Sequence, residues 1–193
     1  LISTNNDEHA IHLIERVLEE KESQVLVTIC ESSHDDLKAE ENYLIRYEDN
    51  VPLNPPEDWP TEIAPTSLRA HQTGSSLLSQ LETEDKSLTV FCSAITPPNH
   101  LLIIGAGPDA EPVIRFVKEL GWEITVVDYR ESFLNQENFS VVNQRILATP
   151  EQLSERVNLQ EIDAIVLMTH KIEYDERYLN NLTSTSAKYI GLL

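Results

Sequence analysis

Glycine is scarce in this chain, with five residues in 193, and four of those lie at or beyond position 105. Gly74 stands alone before them, which excludes a glycine-rich phosphate loop from the first half. Cysteine is nearly absent as well. Cys30 and Cys92 each end an apolar, strand-like run, a pattern that excludes a disulfide framework and suits two buried thiols in a reducing cytosol. Lys and Arg number 14 against 33 Asp and Glu, for a formal net charge of −19. That deficit of cations argues against nucleic-acid and anionic-membrane partners, which require clustered Lys and Arg. No apolar run approaches the roughly 18–20 residues of a membrane span, and Leu1-Ile2-Ser3-Thr4 lacks the basic start of a signal peptide. The expectation is a cytoplasmic protein whose charge serves solubility. The HExxH, CxxC, GxSxG and Walker glycine–lysine patterns are all missing, which leaves hydrolase and kinase chemistry without support.

Against this background the segment His100-Leu101-Leu102-Ile103-Ile104-Gly105-Ala106-Gly107-Pro108-Asp109-Ala110 stands out. An apolar strand enters a glycine turn, and Ala110, Val113, Ile114, Val117 and Leu120 then recur on one face of a helix that Gly121 stops. Glu123 to Asp128 reads as a second strand, closing a βαβ unit of Rossmann type. Gly105 permits the tight turn, Gly107 lets backbone approach a phosphate, and the small Ala110 lets helix and strand pack closely. Asp128 follows Gly105 by 23 positions, where an acid meets the ribose hydroxyls of an adenine nucleotide.

Further strands are expected at 140–143, 163–169 and 188–193, and Thr149-Pro150-Glu151-Gln152 reads as a capping box. Asp163 to Thr169 is almost wholly apolar, as in a central parallel strand covered on both faces. Right-handed crossovers then give a parallel sheet in the order 3-2-1-4-5. In the first half, Asn6 or Asp7 caps a helix carrying Ile11, Ile14, Val17 and Leu18. Strands are expected at 25–30, 43–47 and 88–92, and Leu77, Leu78 and Leu81 suggest a helical turn or two. The four prolines between Pro52 and Pro60 mark a loop, and Ile95 to Asn99 a linker. The fold class is therefore α/β, with a Rossmann-like domain over 96–193 behind a smaller α/β domain over 1–95.

Ligands of an open parallel sheet bind beyond the carboxyl ends of its strands, at the switch point between strands 1 and 4. The candidates there are Gly105, Ala106, Gly107, Asp128, Arg130 and His170. His170 follows the fourth strand, where an imidazole could bind metal or phosphate or move a proton, or else bond a neighbouring loop. Asp128 could meet a ribose or bond the next turn, and Arg130 could meet a phosphate or pair with Asp128. Two residues oppose a pyrophosphate. Pro108 has no N–H to donate, and Asp109 places a carboxylate in the first helical turn. Equally, Pro108 starts the helix and Asp109 satisfies its end without any ligand. His100 begins the first strand at the far end of the sheet and reads as structural; His9, His12, His34 and His71 show no ligand spacing.

The second half resembles xanthine dehydrogenase accessory proteins of the XdhC and CoxI type. The resemblance rests on Thr96-Pro97-Pro98, His100 through Gly107, Gly121-Trp122, Val126 through Arg130, Val166-Leu167-Met168-Thr169-His170, Asp175 before the next helix, and Tyr189 through Leu193. It implies a Rossmann-like domain that binds the molybdenum cofactor and delivers it to a client molybdenum hydroxylase. Such a protein is a carrier and chaperone rather than a turnover enzyme. The family turn commonly reads GAGHVA, where this chain has Pro108 and Asp109. A second histidine two residues past the Met-Thr-His motif is here Ile172, and the family's Ser-Gly-Gly-Cys segment is missing. NAD(P)-dependent oxidoreduction is an alternative, opposed by Pro108 and Asp109. A degenerate relative that serves only as an interaction module is another. A homodimer is an assembly that an acidic chain with a proline-rich linker would suit.

Overall fold

The computed structural model describes residues 10–53, 61–82, 86–135, 139–183 and 185–193. The chain divides into two units, 1–97 and 98–193.

The first unit is built on five antiparallel strands: β1 (Gln24–Ser32), β2 (Asn42–Glu48), β3 (Val51–Pro52), β4 (Leu77–Glu82) and β5 (Ser87–Ile95). Their order is β3-β2-β1-β5-β4. Strand alternation sends side chains to opposite faces. Val25, Val27 and Ile29 pack with Ile63 and Ala70 of α2 (Ile63–Thr73). Leu26 packs instead with Leu13 and Val17 of α1 (Ala10–Glu20). Helix α2 stops at Gly74, whose φ of +61° is a conformation that only glycine adopts readily.

Two expectations for this unit are corrected. Leu77, Leu78 and Leu81 lie on a strand, not a helix. Leu77 and Leu81 share a face under either geometry, and antiparallel pairing with β5 over Leu77↔Cys92 to Glu82↔Ser87 decides between them. Cys30 is exposed; only Cys92 is buried. A register shift in the β1–β5 pairing between Ile29 and Glu31 interrupts the alternation at Cys30. The expected caps at Asn6 and Asp7, His9, and the prolines at 55, 56 and 60 lie outside the described residues.

The second unit is a parallel five-stranded sheet: β6 (His100–Ile104), β7 (Glu123–Asp128), β8 (Gln144–Leu147), β9 (Ala164–Leu167) and β10 (Tyr189–Leu192). Its order, β8-β7-β6-β9-β10, is 3-2-1-4-5 in strand number. All five side chains of β6 are buried because both faces of this strand are covered. On one face lie Ala110, Ile114 and Val117 of α3 (Ala110–Glu119) together with Phe139. On the other lie Leu153 of α5 (Leu153–Arg156) and Tyr178 of α6 (Ile172–Asn180). A short helix, α4 (Glu131–Leu134), follows β7.

The third parallel strand begins at Gln144 rather than running over 140–143. Val142 N–H donates to Phe139 O in a turn, and the Asn143 side chain accepts from Ile124 N–H before pairing with β7 begins. Leu120 lies past the end of α3 and is exposed, so it does not extend the apolar face. The capping box forms as the sequence predicts, with Thr149 and Gln152 bonding reciprocally around the 3-10 turn Pro150–Gln152. Asp175 falls within α6, not before it.

Candidate functional site at the carboxyl ends of the parallel strands

Gly105 follows β6 with φ +117°, donating its N–H to Val127 O at 2.8 Å. A Cβ here would run into the Met168 carbonyl and lie 2.9 Å from Thr169 N. Its first task is therefore to let the ends of strands 1 and 4 approach each other.

Asp128 ends β7 and is 1% exposed. Its Oδ1 accepts from Arg130 N (2.8 Å) and Nε (2.9 Å), and its Oδ2 from Ala106 N (2.7 Å) and Arg130 Nη2 (2.8 Å). Burial pushes this carboxyl up, but the Arg130 side chain, the two backbone N–H groups and the guanidinium charge outweigh burial and hold it below its usual range. The hydrogen bond to Asp128 in turn raises Arg130. Gly105, Ala106, Asp128 and Arg130 thus form one group, in which the carboxylate clips the glycine turn to the second strand. Of the roles open to Asp128 and Arg130, the geometry displays the bond to the neighbouring turn and the mutual pairing.

Gly107 and His170 belong to a second group, joined by Asp109. His170 Nε2 lies 2.6 Å from Asp109 Oδ2, the nitrogen donating to the carboxylate. Asp109 does not cap the helix through its side chain, which corrects the reading that it satisfies the helix end. His170 holds φ +56°, a left-handed conformation uncommon outside glycine. His100 is buried at the opposite end of β6, with Nε2 2.9 Å from Thr125 Oγ1, in keeping with a structural role.

A third cluster escaped the sequence reading. The rings of Tyr129, after β7, and Tyr174, in α6, stack at 4.3 Å and 24°. Arg130 and Arg177 lie over these rings at 5.0 and 5.4 Å, and the Lys171 ammonium 5.3 and 5.4 Å from the two centroids. The Tyr129 hydroxyl raises the Lys171 pKa. Asp175 supports the same loop, accepting from Thr169 Oγ1 at 2.7 Å. The segment after β9 is therefore hydrogen-bonded to the loop after β6 through His170 and stacked on the loop after β7 through Tyr174. No spacing in the sequence signals either link, since Asp109 and His170 are 61 positions apart. Among the described residues, no group of three or more His, Cys, Asp or Glu is placed to hold a metal ion. No helix among them is long and apolar enough to cross a membrane.

The 3-2-1-4-5 order, the glycine turn after the first strand and the acid ending the second define a Rossmann-type domain. Residues 101–193 match the XdhC Rossmann domain model. Across 109 residues the chain is 33% identical to a Bacillus subtilis (strain 168) protein whose name describes it as a probable xanthine dehydrogenase subunit. That alignment covers 56% of this chain and 33% of the relative, so the chain spans about a third of its length. A crystal structure of a xanthine dehydrogenase from Bacillus halodurans aligns over 95% of this chain and 81% of its own, at 16% identity and a TM-score of 0.48.

Proposed function

We propose that this chain is an accessory protein of a molybdenum hydroxylase of the xanthine dehydrogenase type. The observation that carries the reading is the match of residues 101–193 to the XdhC Rossmann domain. The name of the Bacillus subtilis relative supports the same client class. The role is one of assembly rather than turnover. Asp128 and Arg130 satisfy each other, and His170 is bonded to Asp109, so the candidate polar groups already serve the loops.

Carriage of the molybdenum cofactor is the form of this role that the resemblance implies. The pterin part of that cofactor ends in a phosphate, for which the natural seat would be the glycine turn at the start of α3. Asp109 stands there, and Pro108 supplies no N–H. In this arrangement the turn does not fit that phosphate. This observation favours a second reading, in which the domain contacts the client without holding the cofactor.

Two measurements test the proposal. Deleting the chain from its host should lower the activity of a xanthine dehydrogenase-type enzyme, and a fully active client would refute the accessory role. Pterin and molybdenum content of the chain, purified anaerobically from a molybdate-fed host beside His170→Ala, separates the two forms. Pterin lost in the variant supports carriage at this crevice, and protein empty in both supports contact alone.

A further inference from the structure

The space over Gly107 is where a dinucleotide-binding turn differs most from an ordinary one. In such turns the missing Cβ of the second glycine lets the backbone approach a pyrophosphate. Here a Cβ on Gly107 would lie 2.5 Å from Asp109 Oδ1 and 3.9 Å from His170 Cδ2. The Asp109 carboxylate has folded back over the glycine instead of capping its helix. It brings a negative charge to the positive end of α3, where a phosphate would otherwise gain from the dipole. His170 holds it there from the loop after β9.

We infer that Asp109 sets the ligand class of this crevice. Its carboxylate, held by His170, fills the anion position of the Gly105–Gly107 turn and excludes phosphate-bearing ligands from it. Exclusion has two components: the carboxylate occupies the volume, and its charge repels a second anion. Ligands of the crevice are accordingly those that present no phosphate to this turn. The inference rests on reading the carboxyl ends of β6 and β9 as the ligand crevice, but it needs no client enzyme. Its test is therefore independent of the accessory role.

The probe is ADP, titrated calorimetrically into the full chain and into Asp109→Ala, Asp109→Asn and His170→Ala. Asp109 and His170 both lie at the surface, so these variants retain the fold, with far-UV circular dichroism as the check. Asp109→Ala is expected to bind ADP at least about tenfold more tightly than the parent chain, since it removes both the charge and the obstruction. Asp109→Asn, which removes the charge and keeps the volume, should fall between them. His170→Ala, which frees the carboxylate without removing it, should also gain less than Asp109→Ala. Equal ADP affinity in the parent chain and Asp109→Ala, whether both bind or neither does, would overturn the inference. An Asp109→Asn variant no tighter than the parent would overturn the charge component alone.

Discussion

Replacing Asp128 by Asn keeps the volume of the side chain and removes its charge. The carboxylate accepts four hydrogen bonds, two on each oxygen, and it is almost wholly buried. An amide retains one acceptor oxygen and turns an NH2 group toward donors that the other oxygen used to satisfy. Two charge-assisted bonds are lost, each worth roughly 1.5–3 kcal/mol. Arg130, whose side chain is 26% exposed, then loses the anion that balances it. For a unit of this size each kcal/mol lowers the melting temperature by roughly 4–8 °C, so a fall of about 12 °C or more is expected. Urea unfolding followed by Trp122 emission in a Trp59→Phe background reads this unit. The pH dependence supplies a second measure. Because the folded carboxyl is held below its usual range, its contribution is complete above about pH 4 and is lost as pH falls toward the folded value. Asp128→Asn should therefore flatten part of the acid limb of stability. A loss below about 1 kcal/mol, or an unchanged acid limb, would refute the account of Asp128 as the clip between turn and strand.

Three further outcomes are expected. Gly105→Ala should leave the second unit unfolded or insoluble, because its Cβ meets Met168 backbone at φ +117°, whereas Gly74→Ala, in open space, should cost only about 1 kcal/mol; similar losses by urea titration would contradict this. Iodoacetamide at pH 8 should add a single label, on the exposed Cys30, since burial first, and Cys30 second, push the Cys92 thiol up to about 12; rapid double labelling of folded protein, seen by mass spectrometry, would show Cys92 to be accessible. Thr149→Ala should cost about 1 kcal/mol by removing one half of the capping box, with thermal unfolding as the measure and an unchanged midpoint as the contrary result.

The second unit was legible as sequence because its determinants are local. Leu101 to Gly105, the periodic apolar face of α3 and the Thr149–Gln152 box each carry their geometry within a few residues. Short right-handed crossovers then leave few orders for five parallel strands. Where local pattern was ambiguous it misled. Leu77 and Leu81 share a face in helix or strand, and the two valines at 141–142 have the composition of a strand but lie in a turn before Gln144 begins the pairing. Cys30 lies where the β1–β5 register shifts, which only the strand pairing reveals.

Of the six candidate residues, Gly105, Ala106, Asp128 and Arg130 form one group, and Gly107 and His170 meet through Asp109; the carboxyl ends of parallel strands converge whatever the side chains do. What they bond to was decided elsewhere. Asp128 with Arg130 is a contact two positions apart, open to inference from sequence. Asp109 with His170, and Tyr129 with Tyr174, join segments dozens of positions apart. By itself the sequence determined a Rossmann domain with a glycine turn and an acid at the right remove. Only the tertiary structure decided that the chain's own carboxylate lies over that turn, because side-chain pairing across loops depends on where the strands end in space.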